Sequence, residues 1–305
     1  MSSGNDKTGS ETDYICSEME TLLNGKYIVP AFGVDVERDV VYRTASGYWT
    51  EGPDRFDEPT LNWTKLLKPP QELELRMDIY TPEGDISDSR PLLLMMHGGS
   101  FLFGNKNEKG QTEWCRHFAS LGYVAASIDY RMGFHVRSGG LLNAEARALK
   151  DARAALKFLL GREDLKADPE RVFVAGTSAG GALALGLAYG RPAVCRIRAV
   201  GDLWGYVRNL SILENACVPI VSFQSIQDPV VPYEKGYPLG QKLAGTVYGT
   251  KAVFDKAVSL GIPCDHVPCP ENGHRLHLDR DGVLTPRFND IRDRLTTFFA
   301  EVMAH

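Results

Sequence analysis

The feature that most constrains this chain is a short apolar run, residues 171–175, that ends abruptly in Gly176-Thr177-Ser178-Ala179-Gly180 and passes at once into a small-residue stretch, residues 181–189. The run reads as a buried strand and the stretch as a closely packed helix. The residues between them must turn the chain sharply. That turn forces Ser178 into a strained backbone conformation. Its flanking glycines are needed because side chains there would collide with the neighbouring strand and helix. The Ser178 hydroxyl is then presented at the carboxyl end of a sheet, beside the N-terminal N–H groups of the helix, where negative charge is favoured.

The same alternation of strand-like and helix-like segments continues along most of the chain, which predicts an α/β fold: a mostly parallel central sheet with helices on both faces. Strands are expected over residues 27–43, 73–80, 92–96, 123–129, 171–175, 197–203, 218–223 and 264–268. Helices are expected over 113–121, 143–160, 181–189, 239–260 and 286–303, with Pro286 suited to a first turn. Residues 1–20 read as a disordered leader, and 21–305 as one domain with an irregular insertion near 48–70. The leader fits a cytoplasmic protein, or an exported one whose signal has been removed. A net charge of −5 offers no basic excess for nucleic acid, and the longest apolar runs are too short to span a bilayer.

Three further groups complete a chemistry around Ser178. His97-Gly98-Gly99-Ser100-Phe101 follows a buried strand, and its glycines allow backbone N–H groups to turn toward a developing oxyanion. Gly99, Ser100 and Ala179 are the expected donors, with Gly98 giving room and His97 bracing the loop. The base is sought after Ser178: His274, in a loop after the last strand, with His277 as the alternative and His266 packing within the strand. The acid that orients it is Asp228, held between a buried strand and the prolines of Asp228-Pro229-Val230-Val231-Pro232-Tyr233, with Asp202 as its rival.

Together with Asp129-Tyr130-Arg131 and Gly273-His274, these motifs resemble a serine esterase of the α/β-hydrolase superfamily, in the carboxylesterase and lipase group with an HGG-type loop. The matching motifs occur in family order between about residues 73 and 300. The resemblance implies an α/β-hydrolase fold, a Ser178–Asp228–His274 triad, and hydrolysis of carboxylic esters through an acyl-enzyme without metal or organic cofactor. It extends to small feruloyl or acetyl-xylan esterases. The chain departs from many relatives in having Ser100 where a third glycine is usual, and in leaving no room for a large helical cap between the sixth and seventh strands. Arg131 is expected to pin loops by ion pairing.

The expected substrate is a small-molecule or polymer-linked ester of short-chain, acetyl or aryl type. A peptidase or amidase of the prolyl-oligopeptidase type would use the same triad, but roughly 90 residues before the catalytic region cannot form a propeller. An inactive fold serving as a binding module is the other alternative. Trp49, Trp63, Trp114 and Trp204 are candidates for an aromatic pocket. Cys264 and Cys269 are the one nearby pair that could bridge, while Cys195 and Cys217 read as reduced core residues. The set Cys264, His266, Cys269 and His274 has a spacing unlike that of usual zinc sites.

Overall fold

The computed structural model describes residues 26–52, 69–134 and 140–305. The expected leader and most of the 48–70 insertion, with Trp63, lie outside the described residues, as do residues 135–139.

Eight strands form one sheet in the order β1-β2-β4-β3-β5-β6-β8-β11. They are β1 (Gly33–Gly47), β2 (Gln71–Glu83), β3 (Arg90–Met96), β4 (Val124–Ile128), β5 (Ala167–Thr177), β6 (Ile197–Leu203), β8 (Ile220–Ser225) and β11 (Cys264–Cys269). The pairs β1–β2 and β2–β4 are antiparallel, and every later pair is parallel. Central strands such as β4 and β8 are buried at every residue, because helices cover both faces. A small second sheet joins β7 (Tyr206–Val207), β9 (Lys235–Gly236) and β10 (Val247–Gly249).

Two apolar layers sandwich the sheet. On one face, α1 (Lys109–Ser120) and α5 (Pro286–Ala304) bury Trp114, Phe118, Phe288 and Phe299. On the other lie α2 (Gly140–Gly161), α3 (Ala179–Tyr189) and α4 (Thr250–Ser259). Ala144, Ala148, Ala152, Ala155 and Leu159 of α2 recur at helical spacing and form its buried stripe. Pro286 opens α5, as expected for a residue with no N–H to satisfy. Between β6 and β8, residues 204–219 carry only β7 and the 3-10 turn Leu210–Asn215.

The expected ion pair of Arg131 is present and buried. Its guanidinium grips Asp151 of α2 through Nε and Nη2, each at 2.8 Å, and Nη1 donates to the Ser46 carbonyl. This one side chain ties β1, the segment after β4, and α2 together.

The helix expected over 239–260 and the core placement expected of Cys217 fail, and the open question of a Cys264–Cys269 bridge is answered. Of residues 239–260, only Thr250–Ser259 is a regular α-helix. Leu239, Gly240 and Gly245 adopt positive φ of 52°, 67° and 76°, which breaks the helix-like pattern into 3-10 turns before β10. Cys264 and Cys269 are both free, as are Cys195 and Cys217, and Cys217 is exposed rather than in the core. The first two stand at opposite ends of β11. Five steps of an extended chain separate their Cα atoms by roughly 16 Å, while a disulfide needs less than about 7 Å.

The close approach of α3 to β3 yields a stability prediction. A Cβ at Gly180 would overlap the backbone carbonyls of Met96 and His97. Gly180→Ala is expected to lose about 3 kcal/mol or more of stability, measured by urea unfolding, because backbone cannot move aside as a side chain can.

Candidate active site

Ser178 stands at the end of β5 as the N-cap of α3, with φ 55° and ψ −114°. A non-glycine residue reaches that region only when its surroundings hold it there. The Ser178 N–H donates to Leu203 O at 2.8 Å, and Ser178 O accepts from Ala182 N at 3.0 Å. Gly176 and Gly180 face each other across the turn, and a Cβ on either would overlap neighbouring backbone. The sharp turn read from the sequence is therefore present, with the strain at the residue expected to carry it.

Asp228 follows β8 and is immobilised by its own loop. Its Oδ1 accepts the N–H groups of Val230 at 2.8 Å and Val231 at 3.0 Å, and Oδ2 accepts from Gln224 Nε2 at 3.2 Å. The far end of the loop is tied to β11 by Tyr233 Oη and His266 Nε2, 2.7 Å apart. His266 Nδ1 in turn lies 2.9 Å from Ser222 Oγ of β8. His266 thus packs within the strand, as the sequence suggests, and braces the loop that carries Asp228.

His274 comes from the loop after β11 and bridges the other two. Its Nδ1 is 2.8 Å from Asp228 Oδ2, and its Nε2 is 2.8 Å from Ser178 Oγ. The carboxylate can only accept, so Nδ1 carries the proton and Nε2 presents its lone pair to the hydroxyl. Three residues from the ends of β5, β8 and β11 meet in one hydrogen-bonded line.

The segment after β3 closes over Ser178. A Cβ on Gly98 would press on Thr177 O and Ser178 Cβ at 3.1 and 3.2 Å, so the missing side chain gives the loop its room. Gly99 has φ 108°, and a Cβ there would overlap Phe103 O. Ser100 has φ 54°, a left-handed conformation that glycine adopts without strain. Among the described residues, the N–H groups of Gly99, Ser100 and Ala179 donate to no backbone carbonyl outside a regular element. His97 braces the loop as expected: Nδ1 lies 2.6 Å from Gly98 O, and the ring stacks on Tyr130, whose hydroxyl donates to His97 O at 2.7 Å.

A family model described as BD-FAE matches residues 77–193, the span from β2 through α3. The non-reducing polyketide synthase prhL of Penicillium brasilianum is 35% identical over 127 residues, covering 40% of this chain and 5% of that protein. Esterase-5B of Drosophila persimilis is 27% identical over 143 residues, covering 44% of this chain and 26% of the relative. This chain therefore spans only a small part of the curated relatives' length. Esterase 2 of Thermogutta terrifontis, solved phosphorylated by paraoxon, superposes with a TM-score of 0.59 at 17% identity over 86% of this chain and 93% of that one. The chain has the α/β-hydrolase fold.

Within that hydrolase fold, the rival acid Asp202 does not reach His274. It is buried at the end of β6, where Oδ1 accepts from Gly205 N at 2.9 Å, and burial raises its carboxyl to about 7. The alternative base His277 is likewise apart from Ser178 in the hydrogen-bond network. It is buried, stacked between Trp114 and Trp204 with ring centroids 5.1 and 5.2 Å away. Trp49 instead packs under the loop and donates to Leu102 O. No group of three or more metal-ligating side chains converges among the described residues.

One residue escapes sequence reading. Glu108 caps α1, accepting from Gln111 N at 2.9 Å, and Oε1 lies 3.0 Å from His277 Nε2. Arg275 stands 4.0 Å from the same oxygen. An acid before a helix signals a cap, but nothing in the sequence pairs it with a histidine 169 positions away. Glu108, His277, Trp204 and His97 line a cavity of about 50 Å³ that also touches Ser178 and His274.

Burial pushes the Glu108 carboxyl up, but the charge and hydrogen bond of His277, the Gln111 N–H and Arg275 outweigh it and hold the carboxyl at about 2, against an ordinary 4.5. A carboxyl depressed by folding stabilises the fold above its unfolded value and loses that contribution as pH falls through the folded one. Wild type should therefore lose on the order of 3 kcal/mol, relative to Glu108→Gln, between about pH 5 and pH 2. Urea unfolding of both proteins across that range checks it; a gap independent of pH would contradict the ionised pair.

Proposed function

We propose that the chain is a serine carboxylic-ester hydrolase working through an acyl-enzyme. The observation that carries this reading is the continuous line from Asp228 through His274 to Ser178 Oγ, with 2.8 Å contacts on both sides of the imidazole. In the first half, Ser178 Oγ attacks the ester carbonyl carbon as His274 Nε2 takes its proton. Asp228 keeps the imidazole in the required tautomer and stabilises the cation that forms. The tetrahedral oxygen is received by the N–H groups of Gly99, Ser100 and Ala179, aided by the N-terminus of α3. His274 then protonates the leaving alcohol. In the second half, water attacks the acyl-Ser178 carbonyl, giving its proton to His274, and the acid departs as Ser178 regains its hydrogen.

The esterases among the relatives support ester over amide as the substrate bond. The cavity beside Ser178 supports a short acyl group. At about 50 Å³ it accommodates a few non-hydrogen atoms, since a single water occupies roughly 10–15 Å³ on this measure. The substrate class is thus a short-chain, acetyl or aryl ester, free or attached to a polymer.

Ser178→Ala is expected to lower kcat for p-nitrophenyl acetate by at least about 10³-fold, and Asp228→Asn by a comparable factor through the wrong tautomer. Both proteins should keep the wild-type circular dichroism spectrum. Across the acetate-to-palmitate series, kcat/KM should peak at acetate to butyrate. Turnover surviving in Ser178→Ala, or matched anilides hydrolysed faster than esters, would overturn the assignment.

A further inference from the structure

Trp204 stands in a conformation that its side chain does not favour. It follows β6 with φ 49°, in the left-handed region, where a bulky residue is rarely found. Two hydrogen bonds hold the turn. The Trp204 N–H donates to Phe223 O at 2.7 Å, and the Gly205 N–H donates to Asp202 Oδ1 at 2.9 Å. The residue before it, Leu203, accepts the N–H of Ser178, so the strained turns after β5 and β6 are joined directly. Strain persists where the surroundings over-determine it, and it gathers at functional sites.

The strained turn delivers an indole that is 1% exposed and lies between two histidines. Trp204 stacks on His277 with ring centroids 5.2 Å apart and planes 26° from parallel. His277 stacks on Trp114 of α1 at 5.1 Å, and Trp114 on Phe288 of α5 at 5.2 Å. Glu108 Oε1, 3.0 Å from His277 Nε2, fixes that ring within the column. The other neighbour of Trp204 is His274, with centroids 6.5 Å apart and planes at 69°, a favoured arrangement for an aromatic pair.

His274 has most need of such a contact at one stage of the cycle. In the resting site both ring nitrogens are held, Nδ1 by Asp228 and Nε2 by the Ser178 hydroxyl. Acylation replaces that O–H bond by an ester bond, so Ser178 has no hydrogen left to donate to Nε2. The imidazole then keeps only its Asp228 hydrogen bond while it takes a proton from the attacking water. Packing against the ring has to do what the lost hydrogen bond did.

Resting on the esterase reading above, we infer that Trp204, backed by the column of His277, Trp114 and Phe288, is a positioning residue for His274 and acts chiefly in hydrolysis of the acyl-enzyme.

Steady-state and burst kinetics with p-nitrophenyl acetate test this. Trp204→Leu removes the ring itself. Trp114→Leu removes its backing at a residue that is not among those lining the cavity. Slowing deacylation alone lowers kcat and KM together and leaves kcat/KM, which reports acylation, unchanged. In both variants kcat is expected to fall about tenfold, with kcat/KM within about twofold of wild type and a burst of about one equivalent of p-nitrophenol. Trp204→Phe, which keeps a ring at the position, should return most of the lost kcat. Wild-type kcat and KM in Trp204→Leu with a wild-type circular dichroism spectrum overturns the inference. So does a fall in kcat/KM as large as that in kcat, which assigns the effect to acylation. Wild-type kinetics in folded Trp114→Leu, beside a changed Trp204→Leu, overturns the backing by the column. Folded wild type that hydrolyses no ester sinks the underlying reading, and the inference with it.

Discussion

The structure depends on one close contact between backbones. Where α3 leaves β5, its first turn is pressed against the carbonyls at the end of β3, with Gly180 lying against Met96 and His97. Only the absence of Cβ atoms permits that approach. The contact fixes the strained conformation of Ser178, and it brings the loop after β3 down over that residue. It also points the helix N-terminus at the Ser178 hydroxyl's side of the turn. Strain at Ser178 persists because Leu203 O, the start of α3 and the Gly98 backbone all hold the residue at once.

Around this contact the polar groups act as braces. Asp228 receives two backbone N–H groups from its own loop, and that loop is anchored to β11 through Tyr233 and His266. Glu108 caps α1 and fixes His277, which is clamped between two indole rings. Trp204 serves both sides of the site: one contact is the His277 stack, and the other meets His274 edge-on at 6.5 Å. Arg131 does comparable work further out, joining β1 to α2 through a fully buried Asp151. Preorganisation of this kind is what electrostatic catalysis requires, since donors that must first reorient lose their advantage.

The sheet and the line of Ser178, Asp228 and His274 were legible because each rests on local signals. Continuous apolar runs marked the central strands, glycines marked the turn, and prolines marked the Asp228 loop. The 239–260 stretch misled because its apolar spacing suits a helix while Leu239, Gly240 and Gly245 take positive φ in sequence. The cysteine pair looked close in number, but an extended strand separates what a loop would have joined. His277 and Glu108 were hidden for a different reason. Their pairing joins α1 to the loop after β11, a contact that only the tertiary fold creates, and burial of a histidine between tryptophans leaves no periodic trace.

The sheet order places the proposed nucleophile and the proposed base in unequal positions. Ser178 rises from β5, with three strands on one side and four on the other among the eight, whereas His274 hangs from β11, the outermost strand, which pairs with β8 alone. Arg294 of α5 secures β11 through Asp265, but that ion pair is partly exposed and correspondingly modest. A sheet margin opens at lower free energy than its centre. Detachment of β11 would carry the imidazole away from Ser178, whose own surroundings are still folded. The proposed activity is therefore the more fragile property of the molecule, and on gentle heating it should vanish reversibly before the far-ultraviolet signal of the sheet declines.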